Sequence, residues 1–527
     1  MLRQRIVGLT ALMCMGGVTA LNAQVEVRTE AQVTASDGDH TPLWLNANKY
    51  GLSSLETTNG YVRAGVFRPL QNDSAKRWAW GAGADMAVAG GFTSTLVVQQ
   101  AYGELRWLKG LLTVGSKEQP MELRNQELSS GPQTLGINAR PVPSVRLSLP
   151  DYWNIPGTKG WLALKGHMAY GLQTDDRWQK VFTDKQSRYT EHTRLHTKAG
   201  YLRIGQEGRP LTVELGIEMG CQFGGTSYVY IGGTFYKDPD EPYELTKFDN
   251  DNSLKAYWHA FVPGGHESKE SDIVYKNEEG NHLGSYVLRV NYDQPTWGVS
   301  VYADHYYEDQ SGMFFVDYDG YGSGDDWDVK KDSHYFLYDL RDIMLGTELR
   351  LKQCHWLNNV VVEYLYSKYQ SGPINHDHTK SISDHISGMD NFYNHDMFTG
   401  WQHWGQVMGN PLYRSPLYND NGYIMVKNNR MWAWHVGLSG DPVSNLHYRL
   451  LCSWQRGWGT YQIPFMDPQR NVSMLAEVNY RFADDSRLKG WSLRGALGYD
   501  HGGLLGDNVG LQVTVGKRMK MKMKDER

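Results

Sequence analysis

Residues 211–220 (LTVELGIEMG) separate strictly into an apolar and a polar set. The odd-numbered positions, from Leu211 to Met219, are all apolar, whereas the even-numbered positions carry Glu214, Glu218, a threonine and two glycines. A period of two places these sets on opposite faces of a β-strand. A soluble sandwich turns such an apolar face inward once or twice, but a transmembrane barrel turns it outward to lipid around its whole ring. The number of times the pattern returns therefore distinguishes the two folds.

The same alternation returns along most of the chain. It is found in segments 61–67, 78–88, 162–170, 286–292, 297–303, 343–351, 360–366, 432–438, 448–454, 474–482, 491–499 and 509–515. Many of these segments place Trp, Tyr or Phe at an end of the apolar face, where the aromatic girdles of membrane barrels lie. A sandwich of this length would be unusually large for one domain, and no repeat of about 20–50 residues indicates a propeller or β-helix. The sequence therefore predicts an all-β protein, a transmembrane antiparallel β-barrel.

The first residues have the features of an exported protein. Residues 1–23 form a predicted signal peptide with Arg3 and Arg5 before an apolar stretch and Ala23 before the cleavage point. Residues 24–527 are predicted to form one outer-membrane barrel domain, which has no further apolar run of about 18 residues. The mean hydropathy of −0.55 does not exclude a barrel, because half of each barrel strand is polar. The net charge of −5, without a large basic block, does not indicate a nucleic-acid partner.

Three stretches interrupt the alternation and predict long loops. They are residues 117–143, 235–279 and 371–429, and the second contains SLKAYWHAF, which favours a short helix. Outer-membrane barrels have long loops at one end and short turns at the other. The chain therefore has the loop arrangement expected of such a barrel.

Several stretches together resemble a known family. They are 41–54 (TPLWLNANKYGLSS), 61–69 (YVRAGVFRP), 115–143 with its KEQP, NQELSSG and NARPVP pieces, 280–285 (GNHLGS), 306–314 (YYEDQSGMF), 363–373 (EYLYSKYQSGP), 409–419 (GNPLYRSPLYN) and 457–464 (GWGTYQIP). In this order they resemble the Wzi-type capsule assembly family of outer-membrane proteins. The resemblance implies about 18 strands and a small amino-terminal, periplasmic helical plug, for which we expect segments near 41–56 and 117–143. It also implies a lectin that holds exported capsular polysaccharide at the cell surface. We expect the protein to be a monomer in outer-membrane lipid.

The carboxyl end departs from the family pattern. Barrels of this kind usually finish on an aromatic residue, whereas here the last strand is expected to end near Val515 and to continue into KRMKMKMKDER. The segment after Val515 thus has no aromatic residue of the kind that usually serves as the assembly signal of such barrels.

Two aromatic-rich loops, residues 317–328 and 388–418, are the predicted sites of sugar binding. Sugars stack an apolar ring face on Trp or Tyr, while Asn, Asp, Gln or Arg form hydrogen bonds with the hydroxyl groups. The candidate residues are Tyr318, Trp327, Tyr393, Trp401, Trp404 and Arg414. The alternative is that these aromatic residues belong to a girdle or to the internal packing of the loops.

Metal sites and catalysis are weakly indicated, so we predict no metal, no cofactor and no enzyme activity. Five aspartates at 317–328 do not follow the calcium-loop order, and five histidines at 376–403 lack a helical i, i+4 pair. Glu214 and Glu218 would lie roughly 13 Å apart along one strand, which fits neither glycosidase geometry. The remaining alternative is a pore or transporter, because barrels of about 16–18 strands can enclose an aqueous channel.

Overall fold

The computed structural model describes residues 24–73, 75–230, 245–263, 280–308, 320–321, 324–326, 328–331, 342–370, 374–375, 385–386 and 390–522. The predicted signal peptide and two of the candidate sugar-binding residues, Tyr318 and Trp327, lie outside these ranges. The other candidate residues lie within them.

Eighteen antiparallel strands form a single sheet. In chain order they are β1 (Gln24–Asp37), β2 (Thr58–Arg68), β3 (Trp78–Gly90), β4 (Leu96–Trp107), β5 (Gly110–Ser116), β6 (Ser144–Asn154), β7 (Leu162–Leu172), β8 (Arg194–Ile204), β9 (Leu211–Phe223), β10 (Asn281–Asp293), β11 (Trp297–Glu308), β12 (Ile343–Leu351), β13 (Asn359–Tyr366), β14 (Met431–Val443), β15 (Leu446–Gly459), β16 (Pro464–Arg481), β17 (Trp491–Gly502) and β18 (Asn508–Lys522). Each strand pairs with the next, and β1 pairs with β18, which closes the ring. The predicted transmembrane-type barrel of about 18 strands is confirmed.

The two faces of the strands are separated as the alternation predicts. On β9, Leu215 points outward and is 43% exposed, whereas Glu218 points into the lumen and is buried. Outward residues on the other strands are likewise large and apolar, as Val62, Val88 and Val301 illustrate. The barrel therefore has an apolar outer surface and a polar inner one.

The connections at the two ends of the barrel differ in length. At the end that carries both termini, here called the turn end, the longest connections are 69–77 and 482–490. At the opposite end, the loop end, the chain makes the connections 117–143, 224–280 and 367–430. Long loops of outer-membrane barrels face the cell exterior and short turns face the periplasm. The predicted loops therefore lie together at one end.

The last strand is longer than the sequence indicated. It does not end near Val515, because β18 continues to Lys522 and pairs along β1 as far as Gln24. The basic tail keeps the period of two: Met521 is exposed on the outer side, while the Arg518 guanidinium contacts the buried Glu26 carboxylate at 2.6 Å. The lysines and arginine of this segment are thus part of the barrel wall.

Among the described residues, three short α-helices accompany the barrel: α1 (Leu43–Asn46), α2 (Asp176–Phe182) and α3 (Leu254–Phe261). Helix α3 confirms the prediction made for SLKAYWHAF. Within the described residues, no helix has the length and apolar character needed to cross a membrane.

Candidate functional site

Three connections from the loop end fold into the lumen and form what we call the plug: residues 38–57, 117–143 and 390–430. Leu43, Trp44 and Leu45 of α1 are buried there. They belong to one apolar core with residues of the other two segments and with inward-facing strand residues such as Val361. The lumen therefore contains a packed hydrophobic core.

Hydrogen bonds join the three plug segments. The Asn48 amide nitrogen donates to the Ser130 carbonyl at 3.0 Å, and the Tyr50 backbone N–H donates to the Ile137 carbonyl at 2.7 Å. The third segment is joined to the second in the same way, because the Asn410 amide donates to the Gly131 carbonyl at 2.6 Å. Each segment thus satisfies backbone groups of another, as buried backbone requires.

Carboxylates on the inner wall hold the second plug segment. The Glu363 carboxylate of β13 accepts hydrogen bonds from the Ser129 hydroxyl at 2.6 Å and from the Ser130 backbone N–H at 2.7 Å. On β11, the Asp304 carboxylate accepts from the Gln133 backbone N–H at 3.0 Å. These contacts give the NQELSSG piece a structural role, because its two serines donate hydrogen bonds to a carboxylate of the barrel wall.

Glycines on the inner face allow the plug to approach the wall closely. A Cβ atom at Gly220 of β9 would lie 2.1 Å from the Trp401 ring, and one at Gly437 of β14 would lie 2.6 Å from the Leu128 carbonyl. Of the two glycines that the alternation placed on the polar face of β9, Gly220 makes room for the plug, whereas Gly216 makes room for the Tyr201 ring of the neighbouring strand.

The plug has more parts than the sequence-based expectation. All three segments leave the barrel wall at the loop end, where the long connections are. The resemblance implied a periplasmic plug, and the second segment does extend to the turn end, where the Glu127 carboxylate lies 3.1 Å from His447 Nε2 at the start of β15. Residues 390–430, which we expected to be a surface loop, form its third part.

This position determines the surroundings of three candidate sugar-binding residues. Tyr393 and Trp401 are each 1% exposed. The Trp401 indole N–H donates to the Thr134 carbonyl at 2.8 Å, and the Arg414 guanidinium donates to the Leu504 carbonyl at 3.0 Å. In this conformation the rings of Tyr393 and Trp401 pack within the plug, so the alternative of loop packing describes both.

Trp404 has a different setting, at the tip of a plug hairpin. Strands Gln402–His403 and Gln406–Val407 pair across Trp404 and Gly405, which have φ values of +56° and +78°. Such a two-residue turn with both φ values positive prefers Asn–Gly, so a bulky Trp in its first position is unusual. The partly exposed indole is kept at the tip although the turn itself favours a smaller residue.

Arg140 and Thr174, which sequence reasoning missed, contact this indole. The Arg140 guanidinium carbon lies 4.4 Å from the ring centroid, and the Trp404 indole N–H donates to the Thr174 hydroxyl at 3.3 Å. Arg140 also donates to the Thr93 hydroxyl at 2.8 Å. Burial lowers the pKa of Arg140 to about 10, so it still carries its charge at neutral pH. The only sequence signal for Arg140 was its place in NARPVP.

A charged cavity of about 550 Å³ lies between the plug and the turn end. It is lined by residues of the plug, including Lys49, and of the wall, including Arg449 and Glu477. The Arg449 guanidinium contacts the Glu477 carboxylate at 2.9 Å, and burial lowers the pKa of the Lys49 amine to about 7. A second cavity of about 160 Å³, lined by His167 and Trp401 among others, adjoins the plug on another side.

Glu214, Glu218 and His403, which we considered for catalysis or metal binding, have structural partners. Glu218 accepts a hydrogen bond from the Tyr201 hydroxyl at 2.7 Å, and Glu214 accepts one from the Asn291 amide at 2.9 Å. His403 interacts with the Arg140 carbonyl and with Thr174. Within the described part of the chain, no group of three or more His, Cys, Asp or Glu side chains is arranged to hold a metal ion.

Comparison with known proteins places the fold but not the family. No family model matches the sequence, and no curated protein matches it in sequence. Among solved structures, the chain resembles Wzi of Escherichia coli, described as an outer-membrane protein of group 1 capsule assembly and a carbohydrate-binding β-barrel. The identity is 14% and the TM-score 0.53, over 93% of this chain and 83% of Wzi. The two chains share a fold.

Weaker structural similarity is found to two further barrels. OccK3 (OpdO) of Pseudomonas aeruginosa is 8% identical with a TM-score of 0.44, over 95% of this chain and 96% of its own. OccAB4 of Acinetobacter baumannii is 10% identical with a TM-score of 0.44, over 95% of this chain and 99% of its own.

Proposed function

We propose that this protein is a non-enzymatic, monomeric outer-membrane barrel that binds exported capsular polysaccharide and holds it at the cell surface. The observation that carries the proposal is the plug. Three loop-end segments with a shared apolar core occupy the lumen, and Glu363 and Asp304 fix the second of these segments to the wall. Such an interior favours a binding role at the loop end over passage of solutes. The fold shared with a carbohydrate-binding barrel supports the same role.

The outer surface supports the membrane location. Apolar side chains point outward on strands around the ring, and a Trp78–Trp107 pair with centroids 5.7 Å apart lies near the turn end, where an aromatic girdle belongs. Because β1 pairs with β18, the described barrel sheet leaves no strand edge for pairing with a second chain. We therefore expect the barrel to be a monomer in outer-membrane lipid.

The proposed sugar contact among the described residues is Trp404. Its ring is partly exposed at the tip of its hairpin, the buried Arg140 guanidinium holds the ring in place, and the exposed Thr174 hydroxyl beside it provides a hydrogen-bonding group. A stacking ring next to fixed polar groups is the arrangement that sugars require. Tyr318 and Trp327, which lie outside the described residues, remain proposed contacts.

A pore or transporter is the second candidate function. The observation in its favour is the charged cavity of about 550 Å³ at the turn end, which a small polar solute would enter from the periplasm. For this function the plug would have to move, because its core lies between the cavity and the loop end.

Two measurements on the purified protein separate these functions. In planar bilayers, the capsule-binding function predicts no steady single-channel current, whereas the pore predicts large steady currents. In co-sedimentation, vesicles that contain the protein should retain capsular polysaccharide purified from the parent strain, and protein-free vesicles should not. A conducting barrel that retains no polysaccharide would contradict the proposal.

A further inference from the structure

Helix α3 packs on the outside of the barrel wall. Its Ala256 and Ala260 are buried against Cys221 and Phe223, which stand on the outward face of β9. Leu215, which points outward on the same strand nearer the turn end, is exposed. The helix therefore covers the part of the outer surface that lies nearer the loop end.

The wall beneath α3 carries polar side chains beside the apolar ones. His196 and Lys198 of β8 stand opposite Cys221 and Met219 in the β8–β9 register, so both point outward. The Lys198 amine donates to the carbonyl of Phe261 at the end of α3. Arg194 Nε donates to the Tyr257 hydroxyl at 3.0 Å. The helix thus supplies acceptors that hydrocarbon cannot offer these cations.

Within the described residues, the opposite side of α3 exposes two apolar side chains, with the exposed Lys255 beside them. Leu254 is 88% exposed and Trp258, one turn later on the same face, is 60% exposed. Residues four apart lie side by side along a helix, so the two side chains form one continuous surface. Apolar and aromatic side chains on a short surface helix are the usual means of anchoring at a membrane interface.

We propose that α3 is an interfacial helix whose Leu254–Trp258 face inserts among the acyl chains of the outer leaflet. The inference rests on the proposed membrane location of the barrel. The helix replaces lipid as the neighbour of the polar patch at His196 and Lys198, and it restores an apolar surface on its far side. It continues the apolar belt of the barrel over a region where the wall alone would break it.

Site-directed spin labelling in phosphatidylethanolamine–phosphatidylglycerol vesicles tests the inference. The background is Cys354→Ser with Cys452→Ser, because the remaining Cys221 is fully buried. Labels are placed at Leu254→Cys and, separately, at Trp258→Cys. Val301→Cys on the outer face of β11 is the lipid-facing control, and Val181→Cys on α2, where Val181 is 74% exposed, is the water-facing control.

The measured quantity is the ratio of a label's accessibility to oxygen to its accessibility to a water-soluble nickel chelate. This ratio should be at least about threefold higher for the labels at 254 and 258 than for the label at 181. The lipid-facing label at 301 should show the same increase. If 254 and 258 behave like 181 while 301 stays lipid-facing, the inference is overturned and the proposed function stands. If 301 also behaves like 181, the membrane barrel itself is wrong. Dipolar broadening between labels at 254 would show a second copy on this face and would also overturn the inference. Because Leu254 is almost fully exposed, its label tests the inference even if Trp258→Cys folds poorly.

Discussion

The Tyr302 hydroxyl donates a hydrogen bond of 2.6 Å to the Glu363 carboxylate inside the barrel. The same carboxylate accepts from Ser129 and Ser130 of the plug, so one wall side chain ties β11 to the second plug segment. Glu363 is 1% exposed, which means that water does not replace these bonds when they are lost. Glu363 therefore links two strands of the barrel wall directly to the plug.

Glu363→Ala should therefore loosen the plug. Removing the carboxylate leaves three buried hydroxyls and an N–H group without their acceptor, and we expect a loss of about 3 kcal/mol of unfolding free energy. The transition is measured by the heat-dependent shift in gel migration, together with single-channel recording. We expect intermittent currents that wild type lacks, with a smaller effect for Glu363→Gln. The exposed Glu207→Ala is the matched control, and equal stability of Glu363→Ala and this control would contradict the anchoring role.

Trp404→Asn should weaken polysaccharide binding without harming the fold. Asn is favoured in the first position of a type I′ turn, so the hairpin is kept while the stacking ring is removed. We expect a loss in affinity of roughly tenfold, the equivalent of about 1.4 kcal/mol, by co-sedimentation. Trp356→Ala, an exposed tryptophan in a turn-end connection, should bind as wild type does. Unchanged affinity in Trp404→Asn would remove this residue from the proposed site.

Gly220→Ala should destabilise the barrel because its new methyl group would meet the Trp401 ring at 2.1 Å. We expect a loss of about 1–3 kcal/mol, as is usual for overpacking a filled interior. Gly200→Ala on β8 is the matched control, since a Cβ there meets nothing within 4 Å. Unfolding in urea from detergent micelles compares the two. Similar midpoints would show that the plug does not press against β9.

Acidification should weaken the plug through His403. The Thr174 backbone N–H donates to its Nε2 atom at 3.1 Å, and its Nδ1 atom lies 2.9 Å from the Arg140 carbonyl, so the ring is bound in its neutral form. Burial lowers the pKa of His403, although Asp175 opposes the shift. A histidine with a lowered folded-state pKa contributes stability that is present above the unfolded value of about 6.5 and is lost as pH falls below it.

The role of His403 is tested by the midpoint temperature of the heat-dependent shift in gel migration, measured at several pH values between 7.5 and 5. Wild type should lose stability over this range, and His403→Gln should lose less. If both proteins decline in parallel, other groups are responsible for the pH dependence.

The barrel could be predicted from the sequence because the alternation of apolar and polar residues is a local property of each strand. A period of two along residues such as 211–219 determines which side chains share a face, and the same rule assigns Leu215 outward and Glu218 inward in the structure. The extension of β18 was missed because Lys and Met alternating after Val515 resemble a solvated tail unless the partner strand β1 is known.

The plug could be predicted only in part. Segments 41–56 and 117–143 are indicated by the resemblance. The burial of Trp401, however, depends on contacts with Thr134 and Gly220, far away in sequence, and Tyr393 is held by a hydrogen bond to the Gln133 carbonyl. An aromatic loop has the same composition whether it covers a surface or fills a lumen. The turn at Trp404 was equally hidden, since a Trp–Gly pair does not indicate a type I′ hairpin.

The central claim is that the apolar parity of the strands faces lipid and the polar parity faces the lumen, and bimane labelling on β9 tests it most directly. Leu215→Cys and Glu214→Cys, each without Cys354 and Cys452, are labelled and placed in vesicles that contain nitroxide-bearing lipids. The label at 215 should be quenched strongly by the lipid and the label at 214 should not. Quenching of 214 but not 215, or of neither, would contradict the barrel and with it the capsule-holding function.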